Sequence, residues 1–216
     1  VGLLEKNVWY LVFKINAMTT LIFATNNQHK VEEIRKVTGN DVHIITLKDA
    51  GIDIDIPEPY DTLHENASAK SATIHQMTGK NCFSEDTGLE VAALNGEPGV
   101  KSARYAGEGK NPQDNIDKLL ANLEGKTNRT AQFRTVISLI WGGKEFLFEG
   151  ICTGRIITEQ KGVSGFGYDP IFIPDGAETT FADMSLKTKN LYSHRRKATD
   201  QLLAFLSQNG KKSSLL

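Results

Sequence analysis

Residues 131–156 read AQFRTVISLIWGGKEFLFEGICTGRI, two runs rich in β-branched and aromatic residues joined by Gly142-Gly143-Lys144. Glycines accept the positive φ that a tight hairpin turn demands, so the stretch is expected as two long antiparallel strands. Elsewhere in the chain, strand-like and helix-like runs interleave, which is the pattern of an α/β protein. A hairpin set into that alternation requires a mixed sheet, not a purely parallel one.

The remaining elements are marked by their ends. Residues 20–25 read as a buried strand, and Asn27 is a natural N-cap for a helix over 30–37 that Gly39 stops. A short strand follows at 42–46. Thr62 and Glu65 have capping-box spacing and open a helix that reaches Met77, with Gly79 beyond it. Residues 81–84 are expected as a strand, Glu85-Asp86-Thr87-Gly88 as a corner, and 89–94 as a strand again. Asn111-Pro112 starts a helix through Leu123, and a final helix covers 192–206.

Composition bounds the class. The 216 residues are 39% hydrophobic and 24% charged, an ordinary globular balance, and a formal net charge of -1 argues against a protein that wraps nucleic acid. No run approaches the ~20 apolar residues of a membrane span. Cys82 and Cys152 lie far apart in apolar contexts and are expected as buried thiols in a reducing, cytoplasmic setting. Residues 1–17, VGLLEKNVWYLVFKINA, are expected to be a leader outside the fold, 18–210 a single domain, and 211–216 a tail.

Five segments concentrate chemistry. In ATNNQHK, residues 24–30, a strand gives way to a helix N-terminus, whose free N–H groups and dipole suit phosphate. Thr25, Asn26 and Asn27 add side-chain donors and Lys30 adds charge; a plain capped helix with a solvated lysine explains the same residues. In SEDTGLEV, residues 84–91, Glu85 and Asp86 are adjacent, so one can hold a metal or activate water while the other braces the turn. A simple type I turn is the alternative. Glu58, between Pro57 and Pro59, is either a rigidly mounted third acid or an exposed loop glutamate. In GFGYDPIF, residues 165–172, flanking glycines leave the Phe166 ring open for stacking and Asp169 is held extended before Pro170; an aromatic core strand with glycine bulges competes with that reading. In KNLYSHRRKA, Lys189, His194, Arg195, Arg196 and Lys197 open the last helix, where cations oppose the dipole unless an anion or carbonyl partners them. A solvated basic face is again the alternative.

In chain order across residues 19–208, ATNNQHK, HENASAKS, SEDTGLEV, GEPGVKSARYAGE, GFGYDPIF and SHRRKA resemble the motifs of the inosine triphosphate pyrophosphatase family. SEDTGL departs from the Asp-Asp-Ser-Gly of many members, though Glu85 and Thr87 preserve a carboxylate and a hydroxyl. The resemblance implies an α/β, two-lobed mixed sheet with flanking helices, an active-site cleft between the lobes, and a homodimer. It also implies hydrolysis of non-standard purine nucleoside triphosphates (ITP, dITP, XTP) to the monophosphate and pyrophosphate, with Mg2+ as cofactor. Carried over by position, Asp86 is the proton acceptor for the attacking water, and Glu58 and Asp86 serve the metal. Thr25, Asn26, Asn27, Gln28, His29 and Lys30 bind the triphosphate. Lys70, Thr87, Phe166, Gly167, Tyr168, Asp169, Lys189, His194 and Arg195 complete the substrate site.

Base choice then needs hydrogen bonds, because Phe166 stacks on any purine. Inosine and xanthosine carry an acceptor at the 6-position, so a donor from His194 or Arg195 is left unpaired against adenine. The competing readings are a pyrophosphatase for modified pyrimidine nucleotides, a nucleotide sensor without turnover, and nucleic-acid binding through SHRRKA. The enzyme reading requires Asp86, Lys30 and Lys189 to share one hollow.

Overall fold

The computed structural model describes residues 19–209, so the segments 1–17 and 211–216 expected beyond the domain lie outside the described residues. β1 (Thr19–Phe23) leads into α1 (Gln28–Thr38), β2 (Val42–Thr46) and α2 (Leu63–Thr78). The long β3 (Cys82–Val91) is followed by a short β4 (Pro98–Gly99) and α3 (Pro112–Asn122). The hairpin strands β5 (Thr130–Trp141) and β6 (Lys144–Ile156) precede β7 (Phe172–Pro174), α4 (Leu186–Lys189) and α5 (His194–Asn209).

One sheet runs β2-β1-β3-β5-β6-β7, with β4 added to β3. β1 pairs parallel with β2 and β3, whereas β3, β5, β6 and β7 are antiparallel in succession. The sheet is mixed, as the hairpin demands, and its turn is made by Gly142 and Gly143 at φ 58° and 75°. Asn27, Thr62 and Asn111 cap α1, α2 and α3 through their side chains, each satisfying an N–H that the helix itself cannot.

Three local expectations give way. Residues 81–94 do not fold as strand, corner, strand, because β3 continues through Glu85-Asp86-Thr87-Gly88. β5 pairs with every residue from Cys82 to Val91, and that ladder overrides the turn preference of Asp, Thr and Gly. Asp169 is not extended before Pro170 but begins a 3-10 turn, Asp169–Ile171. Bonds from Phe166 N and Lys189 Nζ to its carboxylate hold it there against the proline's preference. Lys189 belongs to the separate α4, and the final helix starts at His194, not at residue 192.

The three long strands contribute to two large apolar clusters and two smaller ones. Of the large clusters, one joins Leu89, Val91, Phe133 and Cys152 to Ile116 and Leu119 of α3. The other joins Phe83, Ile137 and Leu139 to β1, α1 and α5. Both cysteines are buried, and burial pushes the Cys82 thiol up to about 12 and the Cys152 thiol up to about 11, as for inert structural thiols. No helix among the described residues is long and apolar enough to cross a membrane.

Between the two lobes β3 has a bare edge. β1 ends at Phe23 and reaches only Cys82 and Phe83, while β4 reaches only Leu89 and Glu90, so residues 84–88 have no strand on that side. The sheet thereby leaves a gap into which neighbouring side chains project.

α5 packs so closely on β6 that a Cβ at Gly150 would lie 2.0 Å from His194 O and 2.6 Å from Ala198 N. Gly150→Ala is therefore expected to displace the start of α5 and to lower stability by about 1–3 kcal/mol, read as a drop in the urea midpoint at unchanged m-value.

Candidate active site

A cavity of about 770 Å³ opens over the bare edge of β3, a volume suited to a small-molecule ligand. Its walls come from Thr25, Asn26, Asn27, His29 and Lys30 at the β1–α1 junction, from Glu58, from Lys70 on α2, and from Asp86 and Thr87 on β3. The loop of Phe166, Gly167, Tyr168 and Asp169 lines it too, with Lys189, His194 and Arg195. Asp86, Lys30 and Lys189 thus share one hollow. Of the residues assigned from sequence, Gln28 alone is not part of the lining; it is the first residue of α1 and is exposed.

The two-residue period of β3 separates the adjacent acids. Cys82, Ser84 and Asp86 face α2: Cys82 Sγ donates to Ser71 O, Ser84 Oγ to Ala67 O, and Asp86 Oδ1 accepts from Lys70 Nζ at 3.0 Å. Phe83, Glu85 and Thr87 face the other way, toward the side of the sheet covered by α1 and α5. Glu85 and Asp86 therefore meet different principal cations, Arg195 and Lys70, with Lys30 acting on both, which relieves the repulsion of two neighbouring carboxylates.

On the α2 side, Lys70 Nζ donates to Glu58 Oε1 (2.5 Å), Glu85 O (2.8 Å) and Asp86 Oδ1 (3.0 Å), using its full set of donors. Arg104 braces Glu58 from beyond, with Nη1 3.3 Å from Oε2 and Nη2 3.1 Å from the main-chain oxygen. Burial would raise the Glu58 pKa, but Lys70 overrides it and the carboxyl lies low. Asp86 is balanced the other way: burial raises its pKa, and Lys70 and Lys30 do not fully offset that. Asp86 Oδ2 is buried and has no hydrogen-bond partner among the described residues.

On the α5 side, Arg195 is only 2% exposed. Its Nε and Nη2 each lie 2.7 Å from an oxygen of Glu85, and Nη1 donates to Glu33. The second oxygen of Glu33 accepts from Lys189 Nζ at 2.8 Å, and Lys189 also reaches Asp169 Oδ2 at 2.8 Å. Burial alone would raise the Glu85 pKa, yet Arg195 and then Lys30, 3.4 Å away, hold it well below the usual carboxylate range. Burial lowers the Lys30 pKa against the pull of Glu85. Burial, reinforced by Arg195 and Lys189, keeps His194 neutral, and its ring stacks on Phe133 with centroids 4.7 Å apart. His194 Nδ1 is buried without a hydrogen-bond partner among the described residues.

Lys189 and Arg195 are each matched by two carboxylates and lie near the Phe166 ring, with Lys189 Nζ 5.2 Å from its centroid. Lys30, with one longer ion pair, is the cation of the junction. Asn26 and Asn27 spend part of their hydrogen bonding inside the protein, Asn26 Nδ2 on Ile54 O and Asn27 Oδ1 on Lys30 N. Two functional neighbours escaped the sequence reading. Glu33 lies three residues after Lys30, a spacing that shares a helix face, and Arg104 sits within the quoted GEPGVKSARYAGE without a role.

The fold is that of a mixed-sheet α/β protein with flanking helices and a ligand-sized cavity beside β3. Residues 21–205 match the Ham1 family, and the chain belongs to that family. A dITP/XTP pyrophosphatase of Flavobacterium johnsoniae is 49% identical over 187 residues, covering 87% of this chain and 97% of the relative. One from Flavobacterium psychrophilum is 51% identical over 185 residues, 86% of this chain and 97% of the relative. The solved Ham1 protein of Staphylococcus aureus superposes with a TM-score of 0.81 at 41% identity, covering 88% of this chain and 100% of that one.

Removing Arg195 would leave buried Glu85 with only the longer Lys30 pair and Glu33 with Lys189 alone, so Arg195→Met is expected to cost about 3–5 kcal/mol in urea denaturation at neutral pH. The pH dependence has a definite sign: the Glu85 carboxyl is depressed below its ordinary 4.5, so its contribution is complete above that pH and is lost as pH falls further. Wild-type stability should accordingly fall below about pH 4.5, and less steeply in Arg195→Met.

Proposed function

We propose that this chain hydrolyses the non-standard purine nucleoside triphosphates ITP, dITP and XTP to the monophosphate and pyrophosphate, clearing them from the nucleotide pool. The observation that carries the reading is Asp86 Oδ2, a buried carboxylate oxygen without a partner, at the cavity that also holds Lys30 and Phe166. The names of the Flavobacterium relatives, dITP/XTP pyrophosphatases, support dITP and XTP among these substrates.

The triphosphate carries about four negative charges, which the N-terminus of α1 and Lys30, both at the cavity, would receive. Glu58 and Asp86 would hold Mg2+: among the described residues no cluster of three or more His, Cys, Asp or Glu is present, and magnesium suits one or two carboxylates completed by water and phosphate oxygens. When bound, the ion neutralises phosphate charge and acidifies a nearby water. Lys70 fixes Asp86 through Oδ1 and leaves Oδ2 as the oxygen that takes the proton of the attacking water. Burial makes that oxygen more basic, which favours the transfer. The water oxygen joins phosphorus as the α–β anhydride bond breaks and pyrophosphate departs.

Phe166 stacks on the base, and the neutral His194, with an unpartnered nitrogen, is the donor that selects an oxygen at the purine 6-position. The same reading carries the homodimer and the cytoplasmic setting with it, neither of which the cleft geometry requires.

The test is a panel of ITP, XTP, dITP, dUTP, GTP and ATP with pyrophosphate and orthophosphate measured separately. The expected product is pyrophosphate, with kcat/KM for ITP about 10⁴ above that for ATP; orthophosphate as the main product, or equal rates on ATP, would defeat the assignment. Asp86→Asn is expected to keep the circular dichroism of the wild type and lose nearly all turnover, so substantial residual hydrolysis would remove Asp86 from its role.

A further inference from the structure

His29 belongs to the segment expected at the phosphates, yet its imidazole lies elsewhere. It is stacked on Phe166, with ring centroids 5.2 Å apart and planes 10° from parallel. The first turn of α1 thus meets the loop on the far side of the cavity, and both residues line that cavity.

The two rings are held differently. Phe166 N donates to Asp169 Oδ2 at 2.9 Å, that oxygen accepts from Lys189 at 2.8 Å, and Arg195 Cζ lies 5.5 Å from the Phe166 centroid. His29 is exposed, and no hydrogen bond among the described residues ties its ring. One wall is anchored in the buried ion network and the other can swing.

We propose that His29 is a base-binding residue: with Phe166 it forms a two-ring clamp into which the purine inserts, a refinement that rests on the purine-nucleotide reading above. A planar base needs about 3.5 Å of clearance on each face, so the rings must stand about 7 Å apart. Here they stack directly on one another, with centroids 5.2 Å apart, so the planes must part for a base to enter, and rotation of the His29 side chain at an exposed position on a first helical turn is the movement that parts them. Without a base, each ring covers the apolar face of the other. Stacking is tolerant of base identity, so His29 contributes affinity for purines and leaves the choice among them to hydrogen bonds.

Calorimetric titration with two probes, inosine monophosphate and inorganic tripolyphosphate, separates base binding from phosphate binding. His29→Ala is expected to weaken inosine monophosphate about tenfold and to leave tripolyphosphate unchanged, and His29→Tyr to restore the nucleotide affinity. Three results overturn the clamp: tripolyphosphate weakened along with the nucleotide, which makes His29 a phosphate ligand; tighter nucleotide binding in His29→Ala, which makes the imidazole an obstruction; or no change. Wild-type protein that binds inosine monophosphate but does not hydrolyse ITP would refute the activity and leave the clamp standing. Failure of wild type to bind inosine monophosphate while it releases pyrophosphate from ITP refutes the clamp and leaves the activity standing.

Discussion

The Arg195 guanidinium, buried between Glu85 and Glu33, is the contact on which the rest of the site depends. A charge at that depth is tolerated only when its hydrogen-bonding groups are met, so β3, α1 and α5 must come together for any of the three acidic and basic groups to be stable there. The network continues outward. Glu33 passes to Lys189, Lys189 to Asp169, and Asp169 to the backbone of Phe166. Buried ion pairs add little net stability over apolar packing, so what this chain of contacts supplies is position: it carries the placement of a β-strand to the loop that presents an aromatic ring.

The opposite face of β3 is built on a different balance. Lys70 satisfies Glu58, the main chain at Glu85 and one oxygen of Asp86, and leaves the other oxygen of Asp86 buried and unpaired. An unmatched acceptor of this kind is costly in a structural role, because it has lost water without gaining a donor. It is the group that a cation or a water proton would match. One strand therefore uses consecutive carboxylates for opposite ends, Glu85 neutralised to hold the fold and Asp86 left with capacity for chemistry.

The bare edge of β3 connects these two faces. Had β1 run a few residues further, its ladder would have filled the space above residues 84–88; it ends at Phe23 and the chain turns into α1 instead. The helix N-terminus, its capping Asn27 and Lys30 arrive there as a consequence of that short strand. Phe166 and its neighbours close the far side from the loop leading to β7.

The sequence by itself determined the hairpin, the capped helices and the segments that meet at the cleft. Those signals are local: Gly142-Gly143 for a turn, Asn27, Thr62 and Asn111 for helix starts, and short runs in which polar residues interrupt an apolar pattern. Only the tertiary structure decided that Glu85-Asp86-Thr87-Gly88 stays extended, because the pairing strand β5 begins more than forty residues later. Glu33 was illegible for the same reason. Nothing in a helix carrying Glu32 and Glu33 side by side reveals that the partners of the second, Lys189 and Arg195, lie 156 and 162 residues away. Backbone preferences act within a turn or two of chain, whereas the division of labour between two neighbouring carboxylates is set by which buried cation each face of the sheet meets.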